Sequence, residues 1–244
     1  MEAVKLLLGG EEVNPDKPDN CGRTPLSYAA GYGHSGVVNI LLGREEVSSD
    51  SWDNEGRTPL SYAALCREEG VVKILLAREE VDPDKPDNCG RTPLSWAASI
   101  GHEGAVKMLL TREEVSPDTP DNDGRTPLSH AVGIRHSFGS AEYTRVVKML
   151  LTREEVSPDR PDNDGRTPLS HAVGIRHKFG SAEYTRMVKM LLGREEVNPE
   201  RPDHYGRTPL SYAICEGYEE AVELLLGREE VSPDKPLGED TRDV

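Results

Sequence analysis

Aromatic residues are scarce in this 244-residue chain, at 5%, and phenylalanine occurs only as Phe138 and Phe179. Large rings normally supply much of a core's buried area, so leucine, valine and alanine must fill the interior here. Positive charge is also in short supply: 29 basic against 44 acidic residues leave a net charge of −15. That balance gives no basic face for a nucleic-acid backbone and none for an anionic membrane surface. Neither nucleic acid nor membrane is expected as a partner. No apolar run approaches the roughly 20 residues of a membrane span, and the opening MEAVKLLLGGEE is too short and too polar for a secretory signal. The four cysteines, Cys21, Cys66, Cys89 and Cys215, fit no zinc spacing. They read as free thiols of a reducing compartment, which points to the cell interior: the cytoplasm, with the nucleus left open.

Repetition is what the chain has in abundance. GRTPL begins at Gly22, Gly56, Gly90, Gly124, Gly165 and Gly206, with steps of 34, 34, 34, 41 and 41 residues. Self-similarity at this period signals a solenoid, in which each unit packs mainly on its neighbours. Residues 90–123 can be read physically. Gly90 permits a tight turn. Thr92 can cap a helix and Pro93 suits its first position. Leu94, Ala97 and Ala98 then fall on one helical face, and Gly101 can end the helix in a left-handed turn. EGAVKMLLTREE predicts a second helix with Val106, Leu109 and Leu110 inward and Lys107 outward. VSPDTPDND has two prolines and no periodicity, and reads as an extended loop or hairpin.

The copies D-N-x-G-R-T-P-L-S-x-A-A-x-x-G-H-x-x-V-V-K-x-L-L resemble the ankyrin repeat over nearly the whole chain, about residues 1–237. The resemblance implies an all-α repeat solenoid of stacked helix pairs with projecting hairpin loops. It also implies a concave surface, made by loop tips and first helices, that binds other proteins. Three departures stand out. The family's T-P-L-H is T-P-L-S here, at Ser27, Ser61, Ser95, Ser129, Ser170 and Ser211. The basic unit is one residue longer than usual, with REEV near its end. Arg67 and Glu68 replace Gly-His, and a left-handed arginine costs about 1 kcal/mol, so that turn is expected to be locally different. The P-D-x-P-D style looks like arrays abundant in filamentous fungi, where they form tails of nucleotide-binding receptor-like proteins.

This reading gives one array over 1–237: a half repeat at 1–21, units starting at 22, 56, 90, 124, 165 and 206, and a disordered tail at 238–244. EAVKLLL at 2–8 matches a second helix without its partner, which suggests a fragment. The units at 124–205 are seven residues longer than the rest and differ from each other at seven positions. Their insertions, GIRHSFGSAEYTR and GIRHKFGSAEYTR, predict a second helix lengthened by up to two turns, with Ser140 as a candidate cap. Phe138, Tyr143, Phe179 and Tyr184 would form a ridge. It would either grip a partner or seal itself by packing ring against ring.

The loop SSDSWDNEG is the odd one. Six of seven loops carry two prolines, and here Ser49 and Trp52 take their slots. Trp52 is expected to face solvent near a tip, either as a binding hot spot or lying flat over Pro18 or Pro86. The slots that vary from unit to unit are the candidate partner-binding residues: Trp52, Glu55, Asn20, Tyr32, Leu65, Asn88, Ile100 and Tyr205. The arginine of GRTPL is identical in all six units, which suggests a structural job such as pairing with the loop aspartates Asp19, Asp53 and Asp87.

Rival chemistries fare poorly. His130, His136, His171 and His177 lack the spacing of a metal site. PDNDG would put Thr119 and His130 at calcium-ligand positions that need acids. No nucleophile elbow or phosphate-binding loop is present. The repeated Arg-Glu-Glu reads as a solvated charge ladder. No cofactor, metal or catalysis is expected. The reading is a monomeric, non-catalytic protein-interaction scaffold, and the acidic surface favours a basic partner surface or peptide. The alternative is a recognition tail of a larger receptor-like protein or enzyme.

Overall fold

The computed structural model describes residues 13–133, 141–174 and 182–231, and these residues contain helices and turns with no strand. The expected helix at 2–8, Ser140, Phe138, Phe179, His136, His177 and the tail at 238–244 lie outside them. The chain divides into two compact units, residues 1–116 and 117–244.

The first unit holds three helix pairs: α1 (Pro25–Gly31) with α2 (Ser35–Leu41), α3 (Pro59–Leu65) with α4 (Glu69–Leu76), and α5 (Pro93–Ser99) with α6 (Glu103–Leu109). First helices stack on first helices and second on second. Every first helix starts the same way. Thr92, in extended conformation, accepts a hydrogen bond from Ser95 N at 3.2 Å, and Pro93 follows in the first helical position where no N–H is needed. The Ser95 hydroxyl lies 3.3 Å from Thr92 Oγ1. The serine of T-P-L-S thus serves its own cap. Leu26, Leu60 and Leu94 are fully buried, and Ala63, Ala64, Ala97 and Ala98 have no exposed surface. The small alanines let the stacked helices approach closely, while each buried leucine contributes about 1.5–3 kcal/mol.

The turn after α3 corrects an expectation. Arg67 takes the left-handed conformation, φ 64°, which Gly33 and Gly101 take at the same place in their own repeats. The turn is not locally different: Glu68 N donates to Ala63 O at 2.9 Å, as His102 N does to Ala97 O. The guanidinium accounts for the tolerance. Arg67 Nη1 donates to Ile100 O at 2.8 Å, the C-cap of the next first helix. Such a charge-assisted bond, about 1.5–3 kcal/mol, offsets a backbone cost of about 1 kcal/mol.

The second unit repeats the plan with α7 (Pro127–Val132), α8 (Ala141–Leu151), α9 (Pro168–Val173), α10 (Ala182–Leu192), α11 (Pro209–Cys215) and α12 (Glu219–Leu226). Helices α8 and α10 have 11 residues against seven or eight for the other second helices. The insertions therefore add about one turn to the described helix. Tyr143, Val147 and Leu150 are buried along α8 as their spacing predicts.

Two devices tie neighbouring repeats together outside the helices. Arg78 donates to Leu42 O, Arg112 to Leu76 O and Arg228 to Leu192 O, at 2.8–3.0 Å. These three arginines of REE segments thus satisfy a carbonyl at the end of the preceding second helix, a group the helix itself leaves unbonded. Its glutamates form short local pairs, such as Arg112 with Glu114.

The second device is a row of buried and half-buried aspartates at the base of the loops. Lys85 reaches Asp50 at 2.9 Å, Arg160 reaches Asp118 at 3.2 Å and Arg201 reaches Asp159 at 3.0 Å. Burial pushes all three carboxyls up, and the cation beside each pulls back only in part. Asp84 accepts from Ser116 N at 3.1 Å, and burial lifts its carboxyl to about 6. Because Asp84 titrates above its unfolded value of 3.8, its ionised form carries a penalty that is complete above the folded value and relieved on acidification. Asp84→Asn, which keeps an oxygen for Ser116 N, is expected to raise the melting temperature at about pH 8, with the gain shrinking as pH falls through 6. Thermal melts of variant and parent across that range check it.

Candidate functional site: the loop tips and first helices

The loop tips and the first helices share one edge in each unit, and a single aspartate per repeat organises it. Asp53 Oδ1 accepts from Glu55 N and Arg57 N, both at 2.9 Å, which closes the tip around Gly56. The glycine sits at φ 80°, a left-handed position that only glycine takes without cost. Asp53 Oδ2 accepts from Tyr62 Oη at 2.5 Å and from Arg57 Nε and Nη2 at 3.2 and 3.1 Å. The same double use recurs at Asp19, Asp87, Asp121, Asp162 and Asp203, each with a ring donor nine residues on: Tyr28, Trp96, His130, His171 and Tyr212. Burial would raise the Asp53, Asp121, Asp162 and Asp203 carboxyls, but their ring and backbone donors hold them below the ordinary range.

The arginines of GRTPL lie between these rings. Arg23 stands 5.2 Å from the Tyr62 ring centroid and 3.9 Å from Asp53, both in the next repeat, and Arg57 stands 5.1 Å from the same ring. Successive tips are also joined. Asn54 N donates to Cys21 O and its side chain to Asn20 O; Asn88 does the same to Glu55 O and Asn54 O. In the second unit Asn163 bonds Asp123 O and Asn122 O.

In the second unit this edge opens into a cleft of about 300 Å³. Arg125, His130, Arg166 and His171 line it, with Tyr212 at one end. Its walls recede for two reasons legible in the residues. Histidine stands where the other repeats carry tyrosine or tryptophan. Gly133 and Gly174 stand at the helix ends where three other repeats carry Leu65, Ser99 or Cys215; the first repeat has Gly31 there, but the Tyr62 ring stands beside it.

Three family-model matches for "Ankyrin repeats (3 copies)" cover residues 1–87, 68–138 and 136–235. The chain belongs to the ankyrin-repeat family. Among solved structures it is similar to the ankyrin repeat protein EF0377, at 25% identity and TM-score 0.70 over 83% of this chain and 96% of that one. An ankyrin repeat domain from Acinetobacter baumannii AYE matches at 25% identity and TM-score 0.68, with the same coverages. The ankyrin repeat domain of Bcl-3, an IkappaB-family member, matches at 23% identity and TM-score 0.69 over 93% of this chain and 91% of that one. No curated protein sequence matches the chain.

On this ankyrin frame, Trp52 (61% exposed), Tyr205 (58%) and Glu55 occupy tips, and Tyr32 (70%) caps α1. Leu65 and Ile100 are half-buried at the ends of α3 and α5. Asn20 and Asn88 are exposed, yet both take part in the bonds that join the tips. Lys85 Nζ stands 4.2 Å from the Trp52 ring centroid while bridging to Asp50. Tyr143 and Tyr184 are buried, and Tyr184 donates to Val132 O and packs its ring 5.7 Å from Tyr218. Sequence reasoning missed the ring donors altogether. Their signal was present: the variable x of T-P-L-S-x-A is always a side chain with a ring N–H or O–H.

All four cysteines are free and exposed, and among the described residues no three His, Cys, Asp or Glu side chains converge on a metal position. Nor is any helix among them long and apolar enough to cross a membrane.

Tyr62→Phe removes one donor from the buried Asp53 carboxylate and leaves the Arg57 bonds in place. A loss of about 1–2 kcal/mol in urea unfolding is expected. Tyr205→Phe, at an exposed tip of the same array, is expected to cost under about 0.5 kcal/mol.

Proposed function

We propose that this chain is a non-catalytic, monomeric scaffold that grips a protein partner with the tips and first helices of its units, in keeping with the general role of ankyrin repeats in protein–protein interaction. The supporting observation is where the exposed rings lie. Of the exposed large apolar side chains among the described residues, Tyr28, Tyr32, Trp52, Tyr205 and Ile214 sit on tips or at the first helices, and only Val13 and Leu226 lie elsewhere. Exposed aromatic side chains on one edge are the composition of a binding surface. The variable slots Asn20, Glu55, Leu65, Asn88 and Ile100 supply the remaining specificity. Tyr143 and Tyr184 are packed inside and offer a partner nothing.

The net charge of −15 favours a partner with a predominantly basic surface. Exposed free thiols suit a reducing compartment, which supports reading the interaction as one inside the cell. A recognition tail of a larger receptor-like protein, as in the fungal-type arrays the loops resemble, would use the same edge.

The test is site-specific photocrosslinking. A crosslinker at Trp52 or Tyr205 is expected to trap partner protein, and one at Lys107 on the outer face of α6 is not. Equal trapping from all three positions counts against the assignment. Trp52→Ala is expected to weaken the trapped complex by about 2 kcal/mol or more. Losing an exposed ring over Lys85 should cost the fold only about 0.5–1 kcal/mol.

A further inference from the structure

We propose that the cleft between the first helices α7 and α9 is a subsite for one acidic side chain of the partner polypeptide, carboxylate or phosphorylated. The inference rests on the protein-binding reading and gives it a specific chemistry.

The first reason is the lining. Two guanidinium groups and two imidazoles face the cleft, and no acidic side chain lines it. Asp121 and Asp162 stand behind the imidazoles, and each has one oxygen taken by a histidine Nε2–H, at 2.8 and 2.7 Å. A carboxylate only accepts, so the proton of this bond belongs to the ring.

The second reason is what the arginines lack. In two of the three repeats with tyrosine, Arg57 and Arg207 bond their own aspartate at 3.0–3.2 Å, and in the third Arg23 Nε stands 3.9 Å from Asp53. In the histidine repeats the contacts are longer. Arg125 Nε stands 3.8 Å from Asp162 and its Nη1 3.9 Å from Asp123; Arg166 Nε stands 3.9 Å from Asp203. These distances exceed a hydrogen bond. Nε of both arginines is a buried donor without an acceptor among the described residues. Arg23 has an unbonded Nε as well, but two rings flank it, Tyr28 at 5.9 Å and Tyr62 at 5.2 Å. Arg166 has one such ring, Tyr212 at 5.6 Å, and Arg125 has imidazoles beside it instead. Two forked cations, each with an unbonded Nε, line a cleft of about 300 Å³ and match the planar oxygens of a carboxylate or the face of a phosphate.

The third reason concerns the surroundings. Asp123 is exposed at the rim, 68% by side chain, and the chain as a whole is strongly acidic. An isolated anion is therefore not favoured by the long-range field. The occupant that fits both is an acidic residue flanked by basic ones, the flanks meeting the acidic rim and the anchor entering the cleft.

The probes are the peptides acetyl-Lys-Ala-Glu-Ala-Lys-amide and its phosphoserine, glutamine and lysine counterparts. Each is titrated into the full chain labelled with ¹⁵N, with the arginine Nε–H and histidine ring signals as readout. The glutamate or phosphoserine peptide is expected to shift these signals, and the tighter of the two identifies the physiological chemistry. Arg166→Gln and His171→Tyr are each expected to weaken binding about tenfold. Lys107→Gln, which removes equal charge from the outer face of α6, is expected to change nothing. His171→Tyr installs the ring that Tyr62 and Tyr212 carry in equivalent repeats, so it fills the cleft without threatening the fold and stands in should Arg166→Gln fail to fold. Equal binding of the glutamine peptide, or indifference of glutamate binding to both substitutions, overturns the subsite. Crosslinking from Trp52 is unaffected by either result, so the broader protein-binding reading is judged separately.

Discussion

One carboxylate per repeat holds each loop tip to the helix that follows it. Its two oxygens divide the work. One gathers two backbone N–H groups and shapes the tip; the other draws in a ring from the helix and, in several repeats, an arginine. A buried carboxylate is costly unless its lone pairs are filled, and here about four donors fill them. Much else follows from that arrangement. The glycine must be left-handed because the chain turns back on the aspartate. The threonine must cap because the helix starts immediately beyond. The arginine is placed where a ring of its own or the next repeat can face it.

A second row of aspartates, at the base of the loops, behaves in the opposite sense. Asp50 and Asp84 are half-buried and Asp118 and Asp159 buried, with one donor-poor oxygen each, and burial raises their carboxyls. The tip aspartates Asp53, Asp121, Asp162 and Asp203, held below the ordinary range, stabilise the fold above their unfolded pKa and lose that contribution in acid. The basal ones cost stability when ionised and recover it in acid. The tip row makes more hydrogen bonds per group, so acid should unfold the array despite relief at the base. Lys85, Arg160 and Arg201 limit the basal cost at three of the four sites, which leaves Asp84 as the least compensated.

The repeat architecture was legible because periodicity is a property of the chain rather than of its environment. GRTPL fixed the cap, the proline and the left-handed glycine together, and each is found where the residues put it. Three features were not legible. Arg67 was expected to distort its turn, because local propensity says nothing of a carbonyl 33 residues away. Trp52 was expected on a proline or a partner, and its Lys85 contact depends on a bridge to Asp50 that only the stacking creates. The ring donors escaped because tyrosine, tryptophan and histidine look unlike each other in sequence. What they share is an N–H or O–H at the same reach from a carboxylate.

That chemical equivalence also explains how a repeat can vary without losing its frame. Any ring with a donor satisfies the tip aspartate, so the identity of the ring is free to change. Tyrosine brings a long apolar body that faces the arginine; histidine keeps the hydrogen bond but withdraws the bulk. Where two successive repeats both carry histidine and both end their first helix in glycine, the withdrawn volume adds up to a cleft. The arginines beside it keep their charge but stand beyond hydrogen-bond reach of the carboxylates around them. The near-duplication of residues 124–164 in 165–205 thus produces a local surface that no single repeat of this array would have. Its donors oppose the charge of the chain around it. A structural slot whose requirement is one hydrogen bond has room to acquire a second role.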